Sequence, residues 1–314
     1  MKLNKKFFIF LISIIAIYAT FLILSDFSKL SEKIIDFKIE YLPVILILAP
    51  LGWLALYYRW VLLLRNLNYN LPHKKNFQIF LSGFALSVTP GKVGELLKSQ
   101  LLKDSFGIPR KITAPVILVE RLYNAVGIVI VSSFGIWFFD FSGIVILITT
   151  CILVVIFVSL RIKKLFLILI QKTSKIKFLS KFTDSFSDSY DVVNTSIKPK
   201  IFIISSLLSV VYWILESIAV YFILRSFGID FLELYNVIPA YATSIILGVV
   251  SFMPAGLGVV EGTLVGLLSI QGLAISTAIT LTIFIRIFTI WYSVFVGFVA
   301  LKLVDAFSIN NSKS

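Results

Sequence analysis

One cysteine and one histidine in 314 residues set the first limits on this chain. Cys151, alone inside an apolar run, has no partner for an intrachain disulfide and excludes a cysteine-based metal site. His73, between two hydrophobic segments and beside Lys74 and Lys75, reads as an interfacial loop residue rather than a ligand or base. With that histidine in a loop there is no Ser/His/Asp constellation, and neither a G-x-S-x-G turn nor a Walker A loop is present. Hydrolytic chemistry and primary ATP-driven transport are therefore disfavoured. The expectation is a protein that is not an enzyme and uses no cofactor and no metal. Acids are scarce as well: 16 Asp and Glu stand against 29 Lys and Arg, for a net charge of +13.

What fills the chain instead is apolar. Hydrophobic residues make up 59% and charged residues 14%, with a mean hydropathy of +1.00. A water-soluble domain of this size does not carry so much apolar surface, so the chain is expected to be an all-α polytopic membrane protein. Its basic excess then follows from the enrichment of Lys and Arg in cytoplasmic loops facing anionic lipid. Nucleic-acid binding is not expected, since no soluble module is present to carry it.

Full spans are predicted at 7–24, 41–64, 113–139, 142–160, 201–224 and 273–301. The first follows Lys2, Lys5 and Lys6; its 18-residue apolar run is too long for a signal-peptide core, and no small-x-small cleavage site follows. Lys/Arg placement assigns the sides. The N-terminal tail goes inside, loop 25–40 with three lysines and four acids goes outside, and Arg65, Lys74 and Lys75 return inside. Asp140 falls outside, whereas linker 161–200, with nine basic and three acidic residues, falls inside. Asp230 and Glu233 lie outside and Lys302 inside, which puts both termini in the cytoplasm of a cell-membrane protein.

Two further apolar stretches, 77–102 and 235–271, are interrupted by Pro/Gly breaks carrying a carboxylate. The first break contains Pro90, Gly91, Gly94 and Glu95; the second contains Pro254, Gly256, Gly258 and Glu261. Basic residues flank both ends of 77–102, so that stretch is expected to enter the membrane and turn back from the inside. The same count makes 235–271 a hairpin from the outside. Span, hairpin, span thus occurs twice, at about 41–139 and 201–301, joined by span 142–160 and the basic linker. Arg59 and Arg225, Glu95 and Glu261, and Arg121 and Arg286 recur 166, 166 and 165 residues apart. These counts predict an inverted-topology repeat with about six spans and two re-entrant broken hairpins in one membrane domain, 1–314. Matching interrupted segments in two halves are a pointer to a transporter's binding site.

Charges inside the bilayer default to functional hypotheses. Here they are Lys92, Glu95, Lys98, Glu120, Arg121, Glu216, Glu261 and Arg286, with Asn124 one turn after Glu120. Lys92, Glu95 and Lys98 share a helix face if the helix restarts after Gly91, and that restart points backbone N–H groups at a phosphate or carboxylate. A plainer reading stands beside this one. Glu95 pairs with Lys98 or Arg121, and Glu261 with Arg286, as buried bridges that fix helix register. Arg121 is near enough to a helix end to reach lipid phosphate, whereas Arg286 needs a buried partner or a polar cavity. Glu216, beside Trp213 and without a base in sequence reach, needs one across the bundle or a proton. In the linker, Phe178, Phe182, Phe186 and Tyr190 form a stripe at spacing four, suited to a helix in the inner headgroup layer or packed on the bundle.

At Pro90-Gly91-Lys92-x-Gly94-Glu95-x-x-Lys98, Glu120-Arg121, Pro254-x-Gly256-x-Gly258-x-x-Glu261-Gly262 and Arg286, the chain resembles the flippase-like membrane domain family. That family comprises the transmembrane region of lysylphosphatidylglycerol synthase/flippase and its stand-alone relatives. The resemblance runs from about residue 10 to 305. It implies translocation of an anionic or aminoacylated phospholipid, or of a polyprenyl-phosphate-linked lipid, between leaflets, with membrane lipids and a separate lipid-modifying transferase as partners. Because the sequence stops at Ser314 without a soluble aminoacyl-transfer domain, it is not expected to make lysyl-lipid itself. A proton- or ion-coupled carrier of a small anion and a non-transporting partner of a glycosyl- or aminoacyl-transferase remain open alternatives.

Overall fold

The computed structural model describes residues 37–89, 94–133, 142–174, 189–251 and 253–311. Among them the regular elements are all helical, as expected where hydrocarbon offers backbone groups no partner outside the chain. Helix α1 runs Leu42–Asn66, α2 His73–Ser82, α3 Leu97–Phe106, α4 Arg110–Ser132, α5 Ser142–Arg161 and α6 Lys163–Ser174. Then follow α7 Tyr190–Ser196, α8 Pro199–Ser226, α9 Leu234–Val250, α10 Val259–Ile270, α11 Ile275–Arg286 and α12 Tyr292–Asn311. Five helices among the described residues are long and apolar enough to cross a membrane: Ile39–Asn66, Arg110–Ser132, Gly143–Arg161, Pro199–Ser226 and Ile275–Val304. They fall on five of the six predicted spans. The sixth, 7–24, lies outside the described residues, as does the end of 113–139 beyond residue 133. His73 opens α2 rather than sitting in a loop, and Tyr57 Oη donates to its carbonyl oxygen at 3.1 Å.

Both interrupted stretches fold as antiparallel helix pairs. In the first, Lys75 Nζ stands 5.5 Å from the centre of the Phe106 ring, Gly83 lies against the Lys98 stem, and Leu86 lies against Gly94. In the second, Ala240 clusters with Leu267, and Gly248 is so close to Val260 that a side chain there would collide with it. Partners that approach each other in sequence toward a central break define a hairpin. Residues 90–93, with Pro90, Gly91 and Lys92, lie outside the described residues. The second break is visible as a short 3₁₀ turn, Pro254–Gly256, before α10. Gly256 and Gly258 take φ of +68° and +81°, values that suit glycine, and Ala255 takes +52°.

The linker is helical where described. Tyr190 packs edge-on against Phe166 at 5.3 Å, and its hydroxyl donates to the Arg161 carbonyl at 2.7 Å. Phe178, Phe182 and Phe186 of the predicted stripe lie outside the described residues.

The two predicted halves interlock rather than stand side by side. Helix α8 packs along α1 and α4, α9 packs on α4, and α12 packs on α2 and on the 3₁₀ turn Gly83–Leu86. Small residues permit the close approaches: a Cβ on Gly127 of α4 would stand 2.7 Å from the Ser209 backbone of α8. Of the five candidate spans, Arg110–Ser132 is the most buried and Gly143–Arg161 the least. The first lies at the centre of the bundle, and it carries Glu120 and Arg121.

Candidate functional site

Buried charges gather at two places, each beside a break. Near the first, five charged side chains from α1, α4 and the Gly94–Phe106 arm form one chain of contacts. Arg59 Nη1 donates to Asn124 Oδ1 and to Ser209 Oγ, both at 2.5 Å, and its Nη2 stands 3.6 Å from Glu120 Oε1. Glu120 Oε2 accepts from Lys98 Nζ at 2.6 Å, which is 3.9 Å from Glu95 Oε2. Glu95 Oε2 in turn binds Arg121 Nη2 at 2.5 Å. The Lys98 ammonium also rests over the Trp60 and Phe80 rings, at 4.5 and 5.3 Å from their centres. Such charges are kept buried only because each has an opposite charge or a polar partner in place.

The second cluster is smaller and closes the second break. Glu261 sits in the first turn of α10, where its Oε2 accepts from Gly258 N at 2.7 Å and so caps the helix it belongs to. Its Oε1 accepts from Arg286 Nε at 2.7 Å. Arg286 Nη2 donates to the carbonyl of Ala255 at 2.7 Å, tying α11 to the unwound turn itself. Immediately after Arg286 the helix widens into a π turn, Ile287–Trp291, a feature that frequently marks functional positions in helices. Glu216 lies in the middle of α8, one turn after Tyr212.

One cavity of about 250 Å³ lies between the clusters, and both contribute to its wall. Ser87 and Glu95 reach it from the two sides of the first break; Met253, Ala255 and Gly256 reach it from the second. Arg59, Arg121, Asn124, Glu216 and Arg286 complete its charged and polar lining. Val88, Leu257 and Val294 form a single apolar cluster, so the tips of the two hairpins meet with α12 beside them.

Of the predicted site residues, Glu95, Lys98, Glu120, Arg121, Asn124, Glu216, Glu261 and Arg286 lie in the two clusters or the cavity wall, whereas Lys92 lies outside the described residues. Both paired readings of the acids are realised, Glu95 with Arg121 and Lys98, and Glu261 with Arg286. Arg121 is turned to Glu95 and the cavity rather than to a helix end. The residue that sequence reasoning missed is Arg59, singled out only as the counterpart of Arg225. The two have unlike surroundings: Arg59 is fully buried in the first cluster, whereas Arg225 bridges Asp230 at 3.0 Å and Glu233 at 3.4 Å at the end of α8. An arginine deep in a predicted span was the signal available.

Fold and site together define a polytopic α-helical membrane protein built around a charged interior chamber between two broken hairpins. The chain belongs to the lysylphosphatidylglycerol synthase TM region family, whose pattern matches residues 10–297. It is also similar to a UPF0104 membrane protein of Methanocaldococcus jannaschii, with 23% identity over 226 residues, covering 71% of this chain and 94% of the relative. A second UPF0104 membrane protein, from Methanothermobacter thermautotrophicus, shares 31% identity over 84 residues, which is 27% of this chain and 25% of that one.

Proposed function

We propose that this protein moves lipids with charged headgroups between the two leaflets of the cell membrane, as a flippase or scramblase without a catalytic site. The observation that carries the reading is the single chamber shared by both breaks, with buried charges of both signs in its wall. A headgroup crossing hydrocarbon must exchange its water for fixed polar partners, and unwound backbone beside paired charges supplies them. The chamber, at about 250 Å³, is smaller than the ~300–1,000 Å³ of pockets that enclose whole ligands, so it suits a headgroup whose acyl chains stay outside.

A carrier of a small soluble anion would need the same charges. The rim favours lipid. Val249 and Met253 line the chamber and are 55% and 43% exposed, so the entrance at the second break is apolar. On this reading the hairpins are re-entrant from opposite faces, the halves are an inverted repeat, and both termini are cytoplasmic. The repeat gains support from the parallel placement of Glu95–Arg121 and Glu261–Arg286, each joining a hairpin's second arm to the next span. The cargo class is an anionic or aminoacylated phospholipid or a polyprenyl-phosphate-linked lipid, with a separate transferase supplying modified lipid.

Reconstitution into liposomes containing acyl-labelled phospholipids tests this directly. Protein-dependent loss of label to a membrane-impermeant quencher is expected beyond the outer-leaflet half. No exchange of any anionic, aminoacylated or polyprenyl lipid would falsify the reading.

A further inference from the structure

Where α5 gives way to α6, exposed cations gather around α7. Arg161 Nη1 donates to Asn194 Oδ1 at 2.8 Å, and the Arg161 carbonyl accepts from Tyr190 Oη at 2.7 Å. Lys163 Nζ stands 5.9 Å from the centre of the Tyr190 ring, and the Lys111 carbonyl accepts from Ser189 Oγ at 2.9 Å. Residues 189–194 thus hold Lys111, Arg161 and Lys163 at one corner of the bundle. Lys164 follows in sequence, and all four are exposed, as is Asp191 of α7. The ion pairs among the described residues engage Arg59, Lys98, Arg121, Arg225 and Arg286, and none of these four. Nor can the linker neutralise itself, since 161–200 carries nine bases and three acids.

The same corner is also apolar. Phe166 is buried against Tyr190, so one side of α6 is packed, whereas Ile162, Leu165 and Ile168 are exposed. With the exposed Val155 and Val158 of α5 they form one stripe, because spacings of three and four keep to one helix face. Helix α5 has 20 residues, a rise of about 30 Å, which matches the hydrocarbon layer. Arg161 ends that helix and a bend follows at Ile162, so Leu165 and Ile168 continue the apolar stripe past the end of the span. The bases at 161–164 therefore have exposed apolar surface on both sides of them along the chain.

We infer that this corner is a surface site for an anionic phospholipid of the adjoining leaflet. Its phosphate meets Lys163 and Lys164, and the upper carbons of its acyl chains cover Ile162, Leu165 and Ile168. Lysine stems lie along apolar surface while their ammonium groups reach headgroups, and each such base adds attraction to an anionic leaflet. A helix with a basic start and an exposed apolar stripe is suited to that layer. A soluble phosphate or an acidic protein would answer the cations and leave the stripe in water, whereas a lipid answers both. The site is on the outside of the bundle, apart from the chamber, and holds whether or not the chamber moves lipid.

The test is native mass spectrometry of the full chain with phosphatidylglycerol or phosphatidylcholine added, for the native protein and Lys163→Gln/Lys164→Gln. The chamber is the same in both proteins, so their difference isolates the corner. The native protein is expected to retain one more phosphatidylglycerol than the double variant, whose affinity at this site should fall about tenfold, with phosphatidylcholine retained equally by both. Lys163→Arg/Lys164→Arg should keep the extra lipid, and Lys103→Gln, at an exposed base near the end of α3, should not remove it. A nitroxide attached through Ile168→Cys, in a Cys151→Ser background in liposomes, should be reached more readily by oxygen than by a water-soluble nickel chelate. Equal retention of phosphatidylglycerol by the native protein and Lys163→Gln/Lys164→Gln overturns the inference, as does a nitroxide reached mainly by the chelate. A polyglutamate peptide that binds the native protein where phosphatidylglycerol does not would assign the corner to an acidic protein, and also overturns it. Each of these results leaves lipid translocation standing, because exchange in liposomes tests that separately.

Discussion

Glu120 joins two buried cations: its Oε2 holds Lys98 and its Oε1 faces Arg59, and Glu120 is buried with them. Removing a single member of such a network leaves charge stranded in a medium of low polarity, at a cost of ~3–5 kcal/mol. Glu120→Gln is therefore expected to lower the unfolding midpoint of the detergent-solubilised protein strongly, and a midpoint unchanged within error would show that the cluster does not hold the fold. The Glu261–Arg286 pair behaves differently, since it also ties the unwound turn at Ala255. Glu261→Gln and Arg286→Gln should each stop lipid exchange. In a double-mutant cycle read by thermal unfolding, their coupling should be about 0.5–3 kcal/mol. If both variants translocate lipid at the native rate, these charges are architectural. The acids and bases of both pairs were legible in the sequence because ionisable residues are rare in apolar segments. The position of Arg59 was not, since Asn124 and Ser209, the groups that fix it, lie 65 and 150 residues away in sequence.

Among the elements, the breaks were the most legible. Proline and glycine between apolar runs interrupt a helix whatever surrounds it, and the turn Pro254–Gly256 falls where the sequence places it. The π turn at Ile287–Trp291 has no such punctuation, so nothing in the local sequence announces it. The same holds for the meeting of α12 with the first hairpin. A Cβ on Gly297 would collide with the backbone of Phe84 and Ala85, so this contact depends on a missing methyl group. Gly297→Ala should therefore destabilise the protein by ~1–3 kcal/mol through overpacking, detected as an earlier unfolding transition in detergent. Gly143→Ala, at a position with open space around it, serves as the comparison and should leave that transition in place.

At the level of the whole molecule, hydropathy predicts which segments are long and apolar enough to span, and the described spans agree with it. How the halves interlock could not be read that way, because packing partners separated by a hundred or more residues leave no periodic trace. Convergence of the two breaks on one chamber is the feature from which the transport reading derives, and Val88 and Leu257 report on it because both belong to the cluster where the hairpin tips meet. The decisive measurement is lipid exchange by Val88→Cys/Leu257→Cys, in a Cys151→Ser background, before and after joining the two thiols with a short cleavable linker. The linked protein is expected to lose exchange and to regain it when the linker is cleaved. Exchange at the native rate with the tips joined would contradict a route through the chamber they enclose.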